Sequence, residues 1–147
     1  GSAIPHLSMV EKKVLQDANL NENLYKRATH VCEEQARVIQ FCQGLESDMS
    51  SASLGKLLQE SHHSSSLNFE NSCKELDYLS ELLNGHENVH GARLTGGGFG
   101  GAVMAWTEDC FNETAARAIS DKFEKRFKLK SKFYQFLPSN GARKETL

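Results

Sequence analysis

The chain has 147 residues, the usual size of one domain and enough to bury one core. Its 17 basic and 19 acidic residues give a formal net charge of −2, so there is no electrostatic case for a nucleic-acid partner. The sequence holds no run of 18 apolar residues, which argues against a membrane-spanning helix.

The first 19 residues carry little pattern. Gly1-Ser2 resembles a cleavage scar, and one short helix is expected around residues 10–17. We therefore divide the chain into residues 1–19, a scar and short leader, and residues 20–147, a single domain.

A long amphipathic helix is predicted from Asn21 to Gln43, with Gly44 as its stop. His30 and Arg37 on this helix are expected to be surface or groove residues. Its buried face is predicted to be the apolar set at helical spacing: Leu24, Ala28, Val31, Cys32, Val38, Ile39 and Cys42.

A second helix is predicted to start after the capping residues 50–53 and to end near Ser61. The histidines that follow, His62 and His63, are adjacent. Adjacent side chains point in different directions on a helix and cannot chelate one metal as an i, i+4 pair does. On the residues alone, we expect a solvated helix end here.

The third helix carries a start signal and a stop signal. Ser72-x-x-Glu75 has the spacing of a capping box, and Asn84-Gly85 has the composition of a C-terminal cap. Glu75 and Asp77 are two residues apart, so they cannot face each other as a catalytic pair of carboxylates. Glu75 is interpreted as a structural cap.

Glycine then dominates a short stretch, supplying five of the six residues from Gly96 to Gly101. Each glycine in a regular element costs roughly 0.5–1 kcal/mol relative to alanine. Such a run is therefore typical of backbone that turns tightly or lets another group approach closely. Strand-like residues 92–95 precede the run and strand-like residues 102–107 follow it, which predicts a hairpin.

A last helix is predicted after a cap at Thr107 or Asp109, followed by a strand from Lys132 to Leu137. The helix is expected to bury Ala115, Ala118, Ile119, Phe123 and Phe127. Helices first, then a hairpin, a helix and a strand indicate the α+β class. We expect an antiparallel sheet of about four strands covered by helices.

Four cysteines occur, and no pair has the Cys-x-x-Cys spacing of a zinc or redox site. We expect four reduced thiols in the core of a cytosolic protein, because each lies within an apolar pattern. They are Cys32, Cys42, Cys73 and Cys110.

Two well-known motifs match the glycine letters by chance. Gly96-x-Gly98-x-x-Gly101 fits the dinucleotide fingerprint, but that motif requires a helix directly after the glycines, and an apolar β-type run follows. Extending the match to Val103 gives the glycine-rich loop of protein kinases. The 46 residues after Gly101 contain none of the catalytic motifs that such a kinase needs downstream.

Three ordered segments resemble the galactokinase branch of the GHMP small-molecule kinases. Gly91-Ala-Arg-Leu-Thr-Gly-Gly-Gly-Phe-Gly-Gly101 resembles the third motif of that family. Leu54-Gly-Lys-Leu-Leu-Gln-Glu-Ser-His62 is similar to a family helix ending in Ser-His. Asn68-Phe-Glu-Asn-Ser-Cys-Lys-Glu-Leu-Asp77 is similar to a segment in which galactokinases carry proline where this chain has Lys74. The resemblance covers about residues 20–145.

This resemblance implies a GHMP kinase C-terminal domain with a ferredoxin-like sandwich. It implies that the nucleotide- or substrate-binding residues are Thr95, Gly96, Gly97, Gly98, Phe99, Gly100 and Gly101, and it places Ser61 and His62 on the substrate side. We expect Phe99 to pack the loop's tip against apolar neighbours. Gly98→Val in the complete enzyme is expected to lower turnover strongly and to leave the fold nearly intact. No catalytic residue or metal ligand is assigned within the chain.

The resemblance also implies ATP and Mg²⁺ in the complete enzyme, with none bound to this fragment. The expected partners are a missing N-terminal kinase domain and a small sugar, with possible self-association through the exposed inter-domain face. Nucleic acid and membrane are not expected, and the expected location is cytoplasmic.

Other functions stay open on the sequence alone. The domain could be a non-catalytic sugar- or nucleotide-binding regulatory module of the same fold, or part of a sibling kinase for another sugar. The family's sugar-recognition motif and catalytic aspartate belong to the N-terminal domain, so no residue of this chain chooses between these readings.

Overall fold

The computed structural model describes residues 6–141, which form five α-helices and one β-hairpin. A 3₁₀ turn at Leu7–Met9 precedes the helices, and a π-helical turn at Ser65–Phe69 continues the third helix. The elements are, in chain order, α1 (Lys12–Asp17), α2 (Glu22–Glu46), α3 (Ser51–Ser64), α4 (Lys74–Asn84), β1 (Val89–Thr95), β2 (Ala102–Thr107) and α5 (Glu113–Phe127). Gly1-Ser2 and the last six residues lie outside the described part.

Polar caps set three of the helix starts in the described part of the chain. In each case a side-chain oxygen accepts the backbone N–H three residues on, as helix N-caps do. Ser50 caps α3 as expected from sequence, and Asn21, the predicted first residue of the long helix, is the cap of α2. The cap of α5 is Asn112 rather than Thr107 or Asp109, so the loop after β2 is longer than predicted.

Helix α2 runs to Glu46 and passes through Gly44, so the prediction that this glycine stops the helix is wrong. The reason is packing against α3. A β-carbon on Gly44 would lie 2.7 Å from Cδ2 of Leu54, and the glycine is buried at this crossing. Gly44 therefore serves the contact between two helices.

The predicted buried face of α2 is also largely wrong. Of its seven residues only Ala28 is buried, and four are exposed: Leu24, Val38, Ile39 and Cys42. The remaining two, Val31 and Cys32, are partly buried. Leu15 of α1 is buried at 4% exposure, and Lys12 pairs with Glu33 at 2.8 Å, so α1 packs on α2.

The sheet consists of β1 and β2, paired antiparallel with Leu94 opposite Val103 and Thr95 opposite Ala102. Helix α3 packs on β1 at backbone distance, because a β-carbon on Gly55 would lie 1.9 Å from the carbonyl oxygen of His90. The core around this contact is apolar: Leu54, Leu57, Leu76, Val89, Ala92, Leu94, Ala116, Ile119 and Phe123 are buried.

Side chains from α3 and α4 seal the edge of β1 that β2 does not occupy. Asn84 accepts the N–H of Ala92 at 2.7 Å and donates to its carbonyl oxygen at 3.1 Å. His62 accepts the N–H of Leu94 at 3.0 Å, and Gln59 donates to the carbonyl oxygen of His90 at 3.4 Å. These bonds satisfy backbone groups that another strand would otherwise take.

The α+β class is confirmed, but the described residues form two strands rather than four. Residues 132–137 form no strand, and Tyr134 and Phe136 are 79% and 82% exposed. A strand needs a partner for its backbone groups, and residues 6–141 supply none for this segment. No helix in the described part is long and apolar enough to cross a membrane.

Candidate functional site

The glycine loop, residues 96–101, joins β1 to β2 as predicted. Gly96, Gly98, Gly100 and Gly101 have φ values of 80°, 84°, 125° and 93°, and Phe99 adopts 58°. This part of the φ range strains residues with a β-carbon, which explains the glycines at four of the positions.

Asn71 holds the tip of the loop. Its carbonyl oxygen accepts the N–H of Phe99 at 2.6 Å, and its side-chain amide donates to the carbonyl oxygen of Gly97 at 3.2 Å. A β-carbon on Gly98 would lie 2.0 Å from the same Asn71 carbonyl oxygen. This contact argues against the expectation that valine at position 98 leaves the fold nearly intact, since the backbone of Gly98 touches a segment 27 positions earlier in the chain.

The other four glycines of the loop have open space around them. No atom of the described chain lies within 4 Å of a β-carbon built on Gly96, Gly97, Gly100 or Gly101. Gly97 also lies outside the positive-φ region. Neither backbone conformation nor internal packing therefore explains the glycine at position 97.

Phe99 does not pack the tip of the loop as expected, because its side chain is 79% exposed. The N–H of Phe99 is bound to Asn71, and the left-handed backbone turns the ring away from the core. Thr95, the last residue of β1, is exposed beside it. The loop thus presents bare backbone, one threonine and one aromatic ring at the surface.

His62 is not a solvated helix end, because Ser61 and His62 are 3% and 9% exposed. Nδ1 of His62 accepts the N–H of Leu94, so the ring proton of the neutral form lies on Nε2, which is 3.2 Å from Oδ1 of Asp77. Burial lowers the pKa of His62, and Asp77 opposes that shift only in part. His62 is therefore held as a neutral ring beside the strand that enters the glycine loop.

The carboxylate of Asp77 accepts hydrogen bonds from two serine hydroxyl groups. Ser72 donates to Oδ1 at 2.6 Å and Ser66 donates to Oδ2 at 3.1 Å. The predicted capping box is therefore wrong: the N-cap of α4 is Cys73, without a side-chain bond, and Ser72 binds Asp77 instead of the helix amide near Glu75. The sequence signal that was missed is a serine five residues before an aspartate.

A second polar cluster lies where α2 meets α3. Ser61 donates to Glu34 at 2.6 Å, and Nε of Arg37 donates to the same carboxylate at 2.5 Å. Burial raises the pKa of Glu34, but the hydrogen bonds from Ser61 and Arg37 outweigh it and leave the pKa below its usual range. Arg37 lines an open groove here, in keeping with its predicted position, while half-buried His30 stacks on Phe69 at 4.7 Å.

The cysteines are free, but they are not four core thiols. Cys42 and Cys110 are exposed, and Cys32 and Cys73 are partly buried. Cys42 lies on the uncovered side of α2, and Cys110 lies in the loop before α5. Among residues 6–141, no three His, Cys, Asp or Glu side chains are grouped closely enough to hold a metal ion.

Comparison with known proteins gives the family. Residues 44–129, which include the glycine loop, match the family model described as GHMP kinases C terminal. The galactokinase of Thermotoga neapolitana is 37% identical over 126 residues, covering 85% of this chain and 35% of that protein. The galactokinase of Actinobacillus pleuropneumoniae serotype 3 is 40% identical over 123 residues, covering 82% and 32%.

A solved structure has the same architecture. The crystal structure of Lactococcus lactis galactokinase complexed with galactose superposes with a TM-score of 0.84 at 27% identity, covering 90% of this chain and 35% of that chain. The chain thus spans about a third of the length of these relatives. It belongs to the GHMP kinase family, as a C-terminal domain of the galactokinase type.

Proposed function

We propose that this chain supplies the glycine-loop side of the active site of a sugar kinase. The reaction is transfer of the γ-phosphoryl group of ATP to the anomeric hydroxyl of galactose. The relatives are galactokinases, and the related crystal structure holds galactose. The observation that carries the proposal is Gly97, whose missing side chain is required by neither its φ nor its neighbours in the chain.

The loop can contribute main-chain N–H groups to the cleft. Phosphoryl transfer depends on positioning and on stabilising charge over the phosphate oxygens. Successive amides in turns with positive φ form concavities that bind anions, and such a surface has room for a ligand only if no β-carbon fills it. We assign the cleft side of this domain to residues 95–101, with Phe99 exposed at its rim.

The remaining machinery is proposed to lie on an N-terminal domain, since the chain covers only 35% of its relative from Thermotoga neapolitana. ATP and Mg²⁺ would bind in the complete enzyme and not to this fragment. We propose that the exposed apolar side of α2, which includes Val38 and Ile39, meets another part of that enzyme or a second copy of this fragment. The enzyme is proposed to be cytoplasmic and to bind neither nucleic acid nor membrane.

We also propose that residues 132–137 become a strand in the complete protein. Phe133, Tyr134, Phe136 and Leu137 are exposed here, and extended aromatic and aliphatic residues favour pairing with a further strand. With the hairpin, this segment and one strand from outside the chain would complete a four-stranded, ferredoxin-like sandwich.

The test is a transfer assay on the complete protein. Purified protein is incubated with Mg²⁺, labelled ATP and one of three sugars: galactose, glucose or N-acetylgalactosamine. Labelled galactose phosphate, formed with an equal amount of ADP, is the expected product. Galactose binding by calorimetry without any transfer would contradict the proposal and would favour a sugar-binding regulatory module.

A further inference from the structure

Two separate contacts fix the glycine loop from inside the domain. At its entrance, the N–H of Leu94, one residue before Thr95, donates to Nδ1 of His62. At its tip, Asn71 binds Gly97 and Phe99 and lies against Gly98. The loop itself is exposed, so these two contacts determine the position of its backbone.

Both contacts are connected to the carboxylate of Asp77. Nε2 of His62 lies 3.2 Å from Oδ1 of Asp77, although it is poorly aligned for a hydrogen bond. Ser72, the residue next to Asn71, donates to the same oxygen at 2.6 Å. Ser66, in the π-helical turn that continues α3, donates to the second oxygen at 3.1 Å. Asp77 therefore ties the helix that carries His62 to the segment that carries Asn71.

The surroundings favour a single arrangement of these groups. His62 is 9% exposed and Asn71 is 8% exposed, so neither can exchange its partners for bulk water without opening the core. Rotation of the His62 ring would leave the N–H of Leu94 without its acceptor, at a cost typical of a buried unpaired donor. Asp77 is the ionic group that faces Nε2 and opposes such a rotation.

We infer that Asp77 is a positioning residue for the glycine loop: through His62 and Ser72 it holds the loop's entrance and tip in register with the cleft. The predicted effect of Asp77 on turnover rests on the proposed function. The loop would in turn position the phosphate or sugar that binds against residues 95–101. Asp77 is assigned no contact with either group.

The experiment compares variants of the complete kinase by hydrogen exchange and steady-state kinetics. Asp77→Ala removes both oxygens, and Asp77→Asn keeps one acceptor for Ser72. His62→Asn keeps an oxygen for the N–H of Leu94 but loses the contact with Asp77. Glu75→Gln is the matched control, because Glu75 is a half-buried carboxylate on the same helix that forms no side-chain hydrogen bond or ion pair within the described residues.

In Asp77→Ala we expect amide exchange at Leu94 and Phe99 to rise about tenfold, the equivalent of one hydrogen bond. Exchange at Phe123 in α5 should stay unchanged. We expect kcat to fall at least about tenfold, with KM for galactose changing by no more than about twofold. Asp77→Asn and His62→Asn should be intermediate, and Glu75→Gln should match the wild type.

Three results would overturn the inference: unchanged exchange at Leu94 and Phe99, an equal rise at Phe123, or faster loop exchange with unchanged kcat. The second would show general destabilisation rather than positioning. A complete protein with no turnover at all would instead overturn the proposed function. Turnover that is lost in Gly97→Ala and retained in Asp77→Ala would overturn only the present inference.

Discussion

Two alanine substitutions in the glycine loop should change different properties: Gly97→Ala should lower turnover, and Gly98→Ala should lower stability. A β-carbon on Gly97 meets nothing within 4 Å, and its φ is outside the positive range. Gly97→Ala should therefore leave the fold intact, and the lower entropy of the unfolded chain adds about 0.4–1 kcal/mol of stability. Turnover of the complete kinase should nevertheless fall by about 10- to 100-fold, because the methyl group would enter the proposed cleft.

Gly98→Ala should act mainly on the fold. Its φ of 84° costs a residue with a β-carbon roughly 1–2 kcal/mol. The 2.0 Å approach to Asn71 would also break two hydrogen bonds, those to Phe99 and Gly97, at about 0.5–1.5 kcal/mol each. The free energy of unfolding should therefore fall by about 2–5 kcal/mol.

The two assays are urea unfolding of this chain and initial rates of sugar phosphate formation by the complete kinase. Full turnover in Gly97→Ala would refute the assignment of the loop to the cleft. A Gly98→Ala variant as stable as the wild type would refute the role given to the Asn71 contact.

Three further outcomes follow from the structure. Asn84→Ala leaves the N–H of Ala92 without its acceptor and should lower the free energy of unfolding, measured in urea, by about 1–3 kcal/mol. The control Glu81→Ala, on the exposed side of α4, should change the free energy of unfolding little. Equal losses in the two variants would contradict this prediction. Burial lowers the pKa of His62 and of His30 below the ordinary value of 6.5, so the unfolded chain takes up more protons below that pH. Stability measured by urea should be highest above pH 6.5 and should decline as the pH falls below that value, and a flat profile in the wild type would count against this. The isolated chain should form no sugar phosphate and should bind ATP at about 1 mM or weaker by calorimetry, and micromolar binding would show a complete site within it.

Local signals predicted much of the fold. Asn21 and Ser50 cap their helices through bonds to residues only three positions away, and the glycine loop turns where glycine is needed for positive φ. Interactions of this range can be deduced from short stretches of sequence. The same local reasoning failed for Ser72, because an aspartate one turn into α4 competes for its hydroxyl group.

Contacts between distant segments account for the other errors. Gly98 packs against Asn71, which lies far from it in the sequence. His62 is buried against β1, where it accepts the N–H of Leu94, 32 positions later. The predicted strand at residues 132–137 has no partner in the described chain, so its pattern alone does not produce a strand. Nothing in the local sequence around these residues specifies such partners.

The central claim is that residues 95–101 face the bound substrates, and hydrogen exchange in the complete kinase tests it most directly. Exchange across this segment is measured with and without galactose plus a non-hydrolysable ATP analogue, and calorimetry verifies saturation. The proposed function predicts slower exchange in the loop and unchanged exchange in the exposed last turn of α5. Unchanged loop exchange at verified saturation would contradict it.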